Sequence, residues 1–148
     1  MMATGLFHAQ TAYHVLLSCA ISLDRGDTSD DHLVISPGFD MASNLADALE
    51  HWTESPFISV EVLKSTYGHN KYARRIISKT RVRRIRKIAR QLTPNDLFIF
   101  NTAGAASQAL LHYGPINNPD MRIAYVEDGM AAYNSGTEVV RESQLTYR

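Results

Sequence analysis

Hydrophobic and polar positions along the chain alternate between short apolar runs and longer stretches of helical period. The short runs, which are typical of strands, cover residues 6–8, 32–36, 57–63, 96–101 and 121–126. The longer stretches carry apolar residues three and four positions apart and cover residues 11–23, 41–52, 70–91 and 105–113. This order predicts βαβ units and an α/β fold, a Rossmann-like three-layer sandwich around a mainly parallel five-stranded sheet.

Several local features refine this prediction. Thr11 is a suitable N-cap for the first helix, because its hydroxyl can accept a free backbone N–H. Residues 25–31 form a polar stretch that predicts a turn, and Gly114-Pro115 predicts a loop after the fourth helix. The apolar stripe of residues 70–91 is interrupted near Thr80, which indicates a bend or two shorter helices. The alternating pattern of residues 57–63 favours a strand near an edge of the sheet.

Length and composition are those of one globular domain, residues 1–148. Of the 148 residues, 45% are hydrophobic, and no apolar run reaches the ~18–20 residues that a membrane span needs. The N-terminus lacks the basic and long apolar regions of a signal peptide. Cys19 is the only cysteine, which excludes an internal disulfide and a cysteine-based zinc site. We therefore expect a cytoplasmic protein. A peripheral position at the inner face of the membrane agrees with this expectation.

The balance of charges hides a strong asymmetry. Lys and Arg together number 15, as do Asp and Glu, so the formal net charge is zero. Yet residues 71–90 contain ten basic side chains and no acidic one, whereas residues 1–70 contain nine acidic and two basic ones. The predicted third helix is therefore strongly basic.

Ligands of parallel sheets bind outside the carboxyl ends of the strands, which directs attention to the residues that follow each predicted strand. His8, Gln10 and Thr11 surround the first such turn, and Asn101, Thr102 and Gly104 form another. Amide, hydroxyl and imidazole groups in these places suit the recognition of a sugar or another polyol. The alternative is that both segments are ordinary turns and N-caps.

Glu127-Asp128-Gly129 follows the last predicted strand. Repulsion between two adjacent carboxylates can raise the pKa of one of them, which is one way to obtain a general base that works near neutral pH. The simpler alternative is a solvated turn, since acidic residues before glycine are common in turns.

Other familiar chemistry is not indicated. The sequence has no GxGxxG, no GxxxxGK[ST] and no GxSxG motif, which disfavours a dinucleotide site, a P-loop and a nucleophile elbow. The six histidines show no HxH or HExxH spacing, so we predict no metal site and no cofactor.

The basic helix has three interpretations: a solvated face, a nucleic-acid footprint, or a site for anionic glycans or an anionic membrane surface. Candidate polyanion-binding residues are Arg74, Arg75, Arg81 and Arg84. Nucleic acid is the less favoured partner, because aromatic residues are sparse and no nucleic-acid-binding motif accompanies the charge.

Two segments, residues 6–17 and 124–133, together resemble the N-terminal half of bacterial sialyltransferase-like and polysialyltransferase-like glycosyltransferases of GT-B architecture. In that family a polar Thr/Ser-Pro-Tyr/Leu-Gln turn leads from a short strand into an apolar helix. A later strand ends in a paired acidic motif with glycine, often followed by a tyrosine, here Tyr133. Ala12 occupies the family's proline position, and His14 occupies its glutamine position.

The resemblance implies an inverting enzyme of polysaccharide biosynthesis that transfers sialic acid from a CMP-activated donor to a glycan hydroxyl. Glu127 would be the general base, Asp128 would orient it or share the role, and Gly129 would complete the motif. The family holds its donor in a second Rossmann-like domain, so we expect these residues to form an acceptor-side half that needs such a domain or subunit as a partner. The basic helix could then hold an anionic acceptor.

Two alternatives from other classes stay open. One is a non-enzymatic module that binds polyanions or nucleic acid through residues 71–90. The other is a small Rossmann-like protein that serves only in assembly.

Overall fold

A computed structural model describes residues 3–26, 29–66 and 68–126. Its five strands are β1 (Ala3–Ala9), β2 (Ser29–Ile35), β3 (Ser59–Val62), β4 (Asp96–Ile99) and β5 (Arg122–Tyr125). Its four helices are α1 (Ala12–Arg25), α2 (Ala42–His51), α3 (Lys71–Leu92) and α4 (Ala105–Asn117). Strands and helices alternate strictly along the chain, as the hydrophobic pattern predicts.

The five strands form one sheet in the order β3-β2-β1-β4-β5, and all neighbouring pairs are parallel. The predicted fold class, a Rossmann-like α/β sandwich, is confirmed, as is the position of β3 at an edge. After β3 the chain crosses over to β4, on the other side of β1. The order of strands therefore reverses between β1 and β4, which in open α/β sheets is where a crevice forms at the carboxyl edge.

Two hydrophobic clusters lie on opposite faces of the sheet. Alternate residues of each central strand point to opposite faces, so Leu6 belongs to one cluster and Phe7 to the other. Leu6 packs with Ile85 of α3 and Leu110 of α4. The second cluster, around Phe7, contains residues of α1 and α2. Helices α3 and α4 thus cover one face, and α1 and α2 cover the other.

Three local predictions need correction. Residues 29–31, predicted as part of a turn, begin β2, because the Asp31 side chain is fully buried against Arg25. Helix α4 continues through Gly114 and Pro115, where a loop was predicted, and a Cβ on Gly114 would overlap the side chain of Met121. Helix α3 is one continuous helix of 22 residues, without the break predicted near Thr80.

The amino ends of the central strands are joined by a cluster of charged side chains. Arg25 Nε lies 3.1 Å from Asp31 Oδ2, and Arg25 Nη1 donates to Asp96 Oδ2 at 3.0 Å. Arg122 donates to both Asp96 oxygens, at 2.7 and 2.9 Å. Gly5 of β1 lies under this cluster, and a Cβ there would overlap the Asp31 carboxylate. The cluster therefore ties α1, β2, β4 and β5 together at the edge opposite the crevice.

Within the residues that the structure describes, no helix is both long and apolar enough to cross a lipid bilayer.

Candidate functional site at the carboxyl edge of the sheet

The loops after β1 and β4 meet at the point where the strand order reverses. Gln10, in the first loop, donates from Nε2 to Ser107 Oγ of α4 at 2.8 Å and to the Asn101 carbonyl at 3.4 Å. The Gln10 backbone also lies close to the loop after β2, because a Cβ on Gly38 would be 3.3 Å from the Gln10 carbonyl oxygen. Gln10 therefore links three loops of the carboxyl edge.

His8 lies beneath this link at the end of β1. Its side chain is 1% exposed, and its ring nitrogens lie 2.8 Å from Ser36 Oγ and 3.0 Å from Ser107 Oγ. Burial, followed by the charges of His14 and Arg81, lowers the pKa of His8 to about 4. The ring is thus neutral near pH 7, with one donor and one acceptor nitrogen, and joins the two hydroxyls in one hydrogen-bonded chain.

The start of α1 is held by its own polar side chains. Thr11 Oγ1 accepts from the His14 amide at 3.2 Å, which confirms the predicted N-cap. His14 Nδ1 accepts from the Gln10 amide at 3.2 Å, and its buried ring stacks on Phe100 at 4.9 Å between centroids. These contacts fix the turn from which the Gln10 side chain reaches α4.

The loop after β4 supplies the other wall of the crevice. Asn101 Oδ1 accepts from the Ala103 amide at 2.7 Å, and the Thr102 carbonyl accepts from Gln108 Nε2 at 3.2 Å. Gly104 is the N-cap of α4, and no side chain caps the first turn of this helix in the described structure. A Cβ at Gly104 would lie 3.3 Å from Gln10 Nε2, so a larger residue there would crowd the Gln10 link.

A groove of about 550 Å³ continues from this loop between α3 and α4. Its residues are mostly apolar, with amide and imidazole groups among them: Val82, Ala103, Ala105, Gln108, Ala109, His112 and Tyr113. Ligand sites commonly have this volume and this mixture of an apolar wall with a few polar groups. The groove begins beside the crevice at Ala103 and Ala105 and follows α4 to Tyr113.

The sequence-predicted residues fall into three groups. Gln10, Asn101, Thr102 and Gly104 come together at the crevice, with Thr11 beside them. His8, predicted as a binding residue, is buried under the crevice, where its ring contacts the hydroxyls of Ser36 and Ser107. Glu127, Asp128 and Gly129 lie outside the described residues; the preceding residue, Val126, donates its amide to the Ile99 carbonyl at 2.8 Å, at the carboxyl edge.

The four predicted polyanion-binding arginines differ in their surroundings. Arg84 donates to both carboxylate oxygens of Glu61, and Arg81 donates to the Lys64 carbonyl. Arg74 donates to the His69 carbonyl at 2.8 Å. Arg75 is exposed and forms no salt bridge in the part of the chain that is described.

Sequence reasoning did not single out Ser107, Ser36 or Phe100 as parts of this site. Ser107 is fully buried on the face of α4 that packs on the sheet, and a polar residue between Ala106 and Leu110 was a signal that could have found it. Ser36 is the last residue of the second predicted strand, where it was not chosen as a site residue. Within the described residues, no group of three or more His, Cys, Asp or Glu side chains is arranged to hold a metal ion.

The fold and this edge define a Rossmann-like α/β domain with a polar crevice at its topological switch point. A scan against models of protein families finds no match to the chain, and a search of curated proteins finds none with significant similarity.

The buried His8 predicts a pH dependence of stability. Its pKa is about 4 in the folded protein and 6.5 ordinarily, so between these values the unfolded chain binds a proton that the folded chain does not. The free energy of unfolding should therefore fall as pH decreases from 6.5 to 4, by on the order of 3 kcal/mol for this one group. Urea denaturation at a series of pH values measures the effect.

The matched comparison is between His8→Asn and His51→Asn. His8→Asn should reduce the slope between pH 6.5 and 4, and burial of His32, which also lowers its pKa, leaves part of the slope in place. His51→Asn, at an exposed position on α2, is the control for removal of an imidazole. Asp96 affects the free energy of unfolding at lower pH. Burial raises the pKa of its carboxyl, but the hydrogen bonds from Arg122 and Arg25 outweigh burial and place this pKa below 3.8. An unchanged slope in His8→Asn would contradict a neutral buried His8.

Proposed function

We propose that this chain is the acceptor-side domain of an inverting glycosyltransferase similar to bacterial sialyltransferases. The observation that carries the proposal is the polar crevice between the ends of β1 and β4, where the half-buried Gln10 and Asn101 lie above the buried Ser107. Neutral amides and hydroxyls held in fixed positions suit the hydroxyl groups of a sugar. The adjoining apolar groove offers room for a second sugar ring.

The acidic motif would supply the chemistry. Glu127 is the next residue after Val126, whose amide bonds to β4 at the carboxyl edge. In the proposed reaction, the Glu127 carboxylate takes the proton of an acceptor hydroxyl, and the oxygen attacks the anomeric carbon of CMP-activated sialic acid. The bond from that carbon to the phosphate oxygen breaks, and CMP leaves with the electron pair. Asp128 would orient Glu127.

A second domain or subunit would hold the donor. Transfer requires the base, the hydroxyl and the leaving group in one near-attack geometry, and a single wall of a cleft cannot fix both substrates. We therefore expect the 148-residue chain alone to bind acceptor glycans without turning over CMP-sialic acid. Sustained turnover by the purified chain would refute this division of roles.

Gln10→Ala should weaken acceptor binding about tenfold, because it removes one oriented amide and loosens the link between the two loops. Titration calorimetry with sialyllactose and a short oligosialic acid measures the loss. Asn44→Ala, which removes an exposed amide on α2, is the control and should bind as the wild type does. Equal affinities in the two variants, or no binding by the wild type, would count against the crevice as the acceptor site.

The charge of α3 favours a second candidate function, a non-enzymatic polyanion-binding module. This helix has ten basic residues and no acidic one. The two functions differ in the surface that each one uses. Neutralising α3 would abolish the ligand binding of such a module, whereas Gln10→Ala would not affect it.

A further inference from the structure

We propose that the outer face of α3 docks the protein onto a bilayer that contains anionic phospholipid. The inference does not depend on the glycosyltransferase proposal. It starts from one row of exposed residues along α3, spaced three or four apart over about 27 Å of helix. This row, the outer stripe, consists of Tyr72, Ile76, Lys79, Arg83, Lys87 and Arg90.

The cations of the outer stripe are available to a partner. Among the residues that the structure describes, none of the four is paired with a carboxylate, whereas Arg84, on the side of the helix, is paired with Glu61. Neither α3 nor α4 contains an acidic residue, so no side chain of these two helices repels a negatively charged surface.

The opposite layer has the reverse charge. Helices α1 and α2 carry Asp24, Asp47 and Glu50, and their one Lys or Arg residue, Arg25, is bonded to Asp31 and Asp96. The sheet therefore separates a basic helical layer from an acidic one. Such a distribution would turn the α3 layer toward an anionic surface during approach.

Exposed apolar side chains favour a bilayer over nucleic acid. Tyr72 is 83% exposed and Ile76 is 66% exposed, both on the same stripe as the cations. A lipid interface accepts apolar side chains beside lysine and arginine, and tyrosine is favoured at that depth. Phosphates of a nucleic acid offer nothing to Ile76.

Sedimentation of the full chain with vesicles tests this proposal. Binding should occur to phosphatidylcholine vesicles that contain phosphatidylglycerol, decrease with added salt, and be lost on phosphatidylcholine alone. Each cation contributes about a fivefold gain in affinity, so Lys79→Ser, Arg83→Ser and Lys87→Ser together should weaken binding about a hundredfold. These positions are all exposed, and circular dichroism would verify that the variant is folded.

Ile76→Ser separates a bilayer from a nucleic acid. It should weaken vesicle binding several-fold, while Leu16→Ser, which changes a residue of similar exposure on α1, should have no effect. The proposal is overturned if vesicles with and without phosphatidylglycerol bind equally or not at all, or if the triple variant binds as the wild type does. It is also overturned if duplex DNA fully displaces the protein from vesicles and Ile76→Ser changes neither the affinity for vesicles nor the affinity for DNA. That result would identify a nucleic-acid surface.

Discussion

Arg25→Ala should destabilise the protein by about 3–5 kcal/mol, the range found when one partner of a buried ion pair is removed. Asp31 is fully buried, and after the substitution its only remaining side-chain partner in the described structure is Ser22, which donates to it at 2.6 Å. The guanidinium also lies 5.2 Å from the centre of the Phe98 ring, so its loss exposes that ring. The midpoint of urea denaturation at constant m-value measures the change.

Arg122→Ala is the matched control for Arg25→Ala. Arg122 bonds to the same Asp96, but its side chain is 77% exposed, so solvent screens this ion pair and Arg122→Ala should destabilise the protein much less than Arg25→Ala. A second comparison uses the double variant Arg25→Met with Asp31→Leu. It removes both charges of the pair and should recover most of the stability that Arg25→Ala loses. If Arg25→Ala and Arg122→Ala proved equally mild, the cluster would not stabilise the sheet in the way proposed.

Glu127→Gln should lower the rate of sialic acid transfer about 10²–10⁴-fold, the usual effect of removing a general base. Glutamine keeps the size of the side chain but cannot take the proton of the acceptor hydroxyl, so acceptor affinity should change little. The measurement is release of CMP and formation of product by the chain combined with a donor-binding domain.

Asp128→Asn and Glu138→Gln accompany the Glu127 experiment. Asp128→Asn should have an intermediate effect if its carboxylate orients Glu127, and Glu138→Gln, outside the acidic motif, should retain transfer within about twofold. Transfer that survives Glu127→Gln at the wild-type rate would remove Glu127 from the mechanism and leave the acidic motif as a turn.

Much of the fold follows from short-range sequence patterns. The period of the apolar residues predicts all five strands and four helices, because each element buries one side or one stripe. Parallel pairing follows from the alternation, since a helix between two strands returns the chain to the same end of the sheet. The order of the strands, and with it the crevice between β1 and β4, requires knowledge of which helix covers which face.

The errors occur where a tertiary contact outweighs the local signal. Asp31 is a polar residue that favours a turn, but a partner six residues earlier, Arg25, makes it a buried strand residue. Gly114 and Pro115 favour a loop, but the Met121 side chain fills the space beside Gly114 and the helix continues. Neither contact can be seen in a window of a few residues.

The residues of the candidate site were likewise predicted only in part. Its loop residues were predicted because they follow strands, a rule that needs only the order of elements. Of the buried residues beneath them, His8 was predicted but Ser36 and Ser107 were not, because the three are far apart in sequence and meet only when α4 packs on the sheet. The apolar stripe of α3 is interrupted near Thr80, but the helix itself is continuous. Its backbone hydrogen bonds do not depend on which side chains form the stripe.

The most direct test of the central claim is to map a bound acceptor onto the chain by NMR. Amide signals of the full 148-residue chain would be followed during titration with sialyllactose and with a short oligosialic acid. We expect saturable shifts centred on Gln10, Asn101, Thr102 and Gly104, with little change along α2. Shifts confined to α3, or no saturable shift with either glycan, would contradict the crevice as an acceptor site.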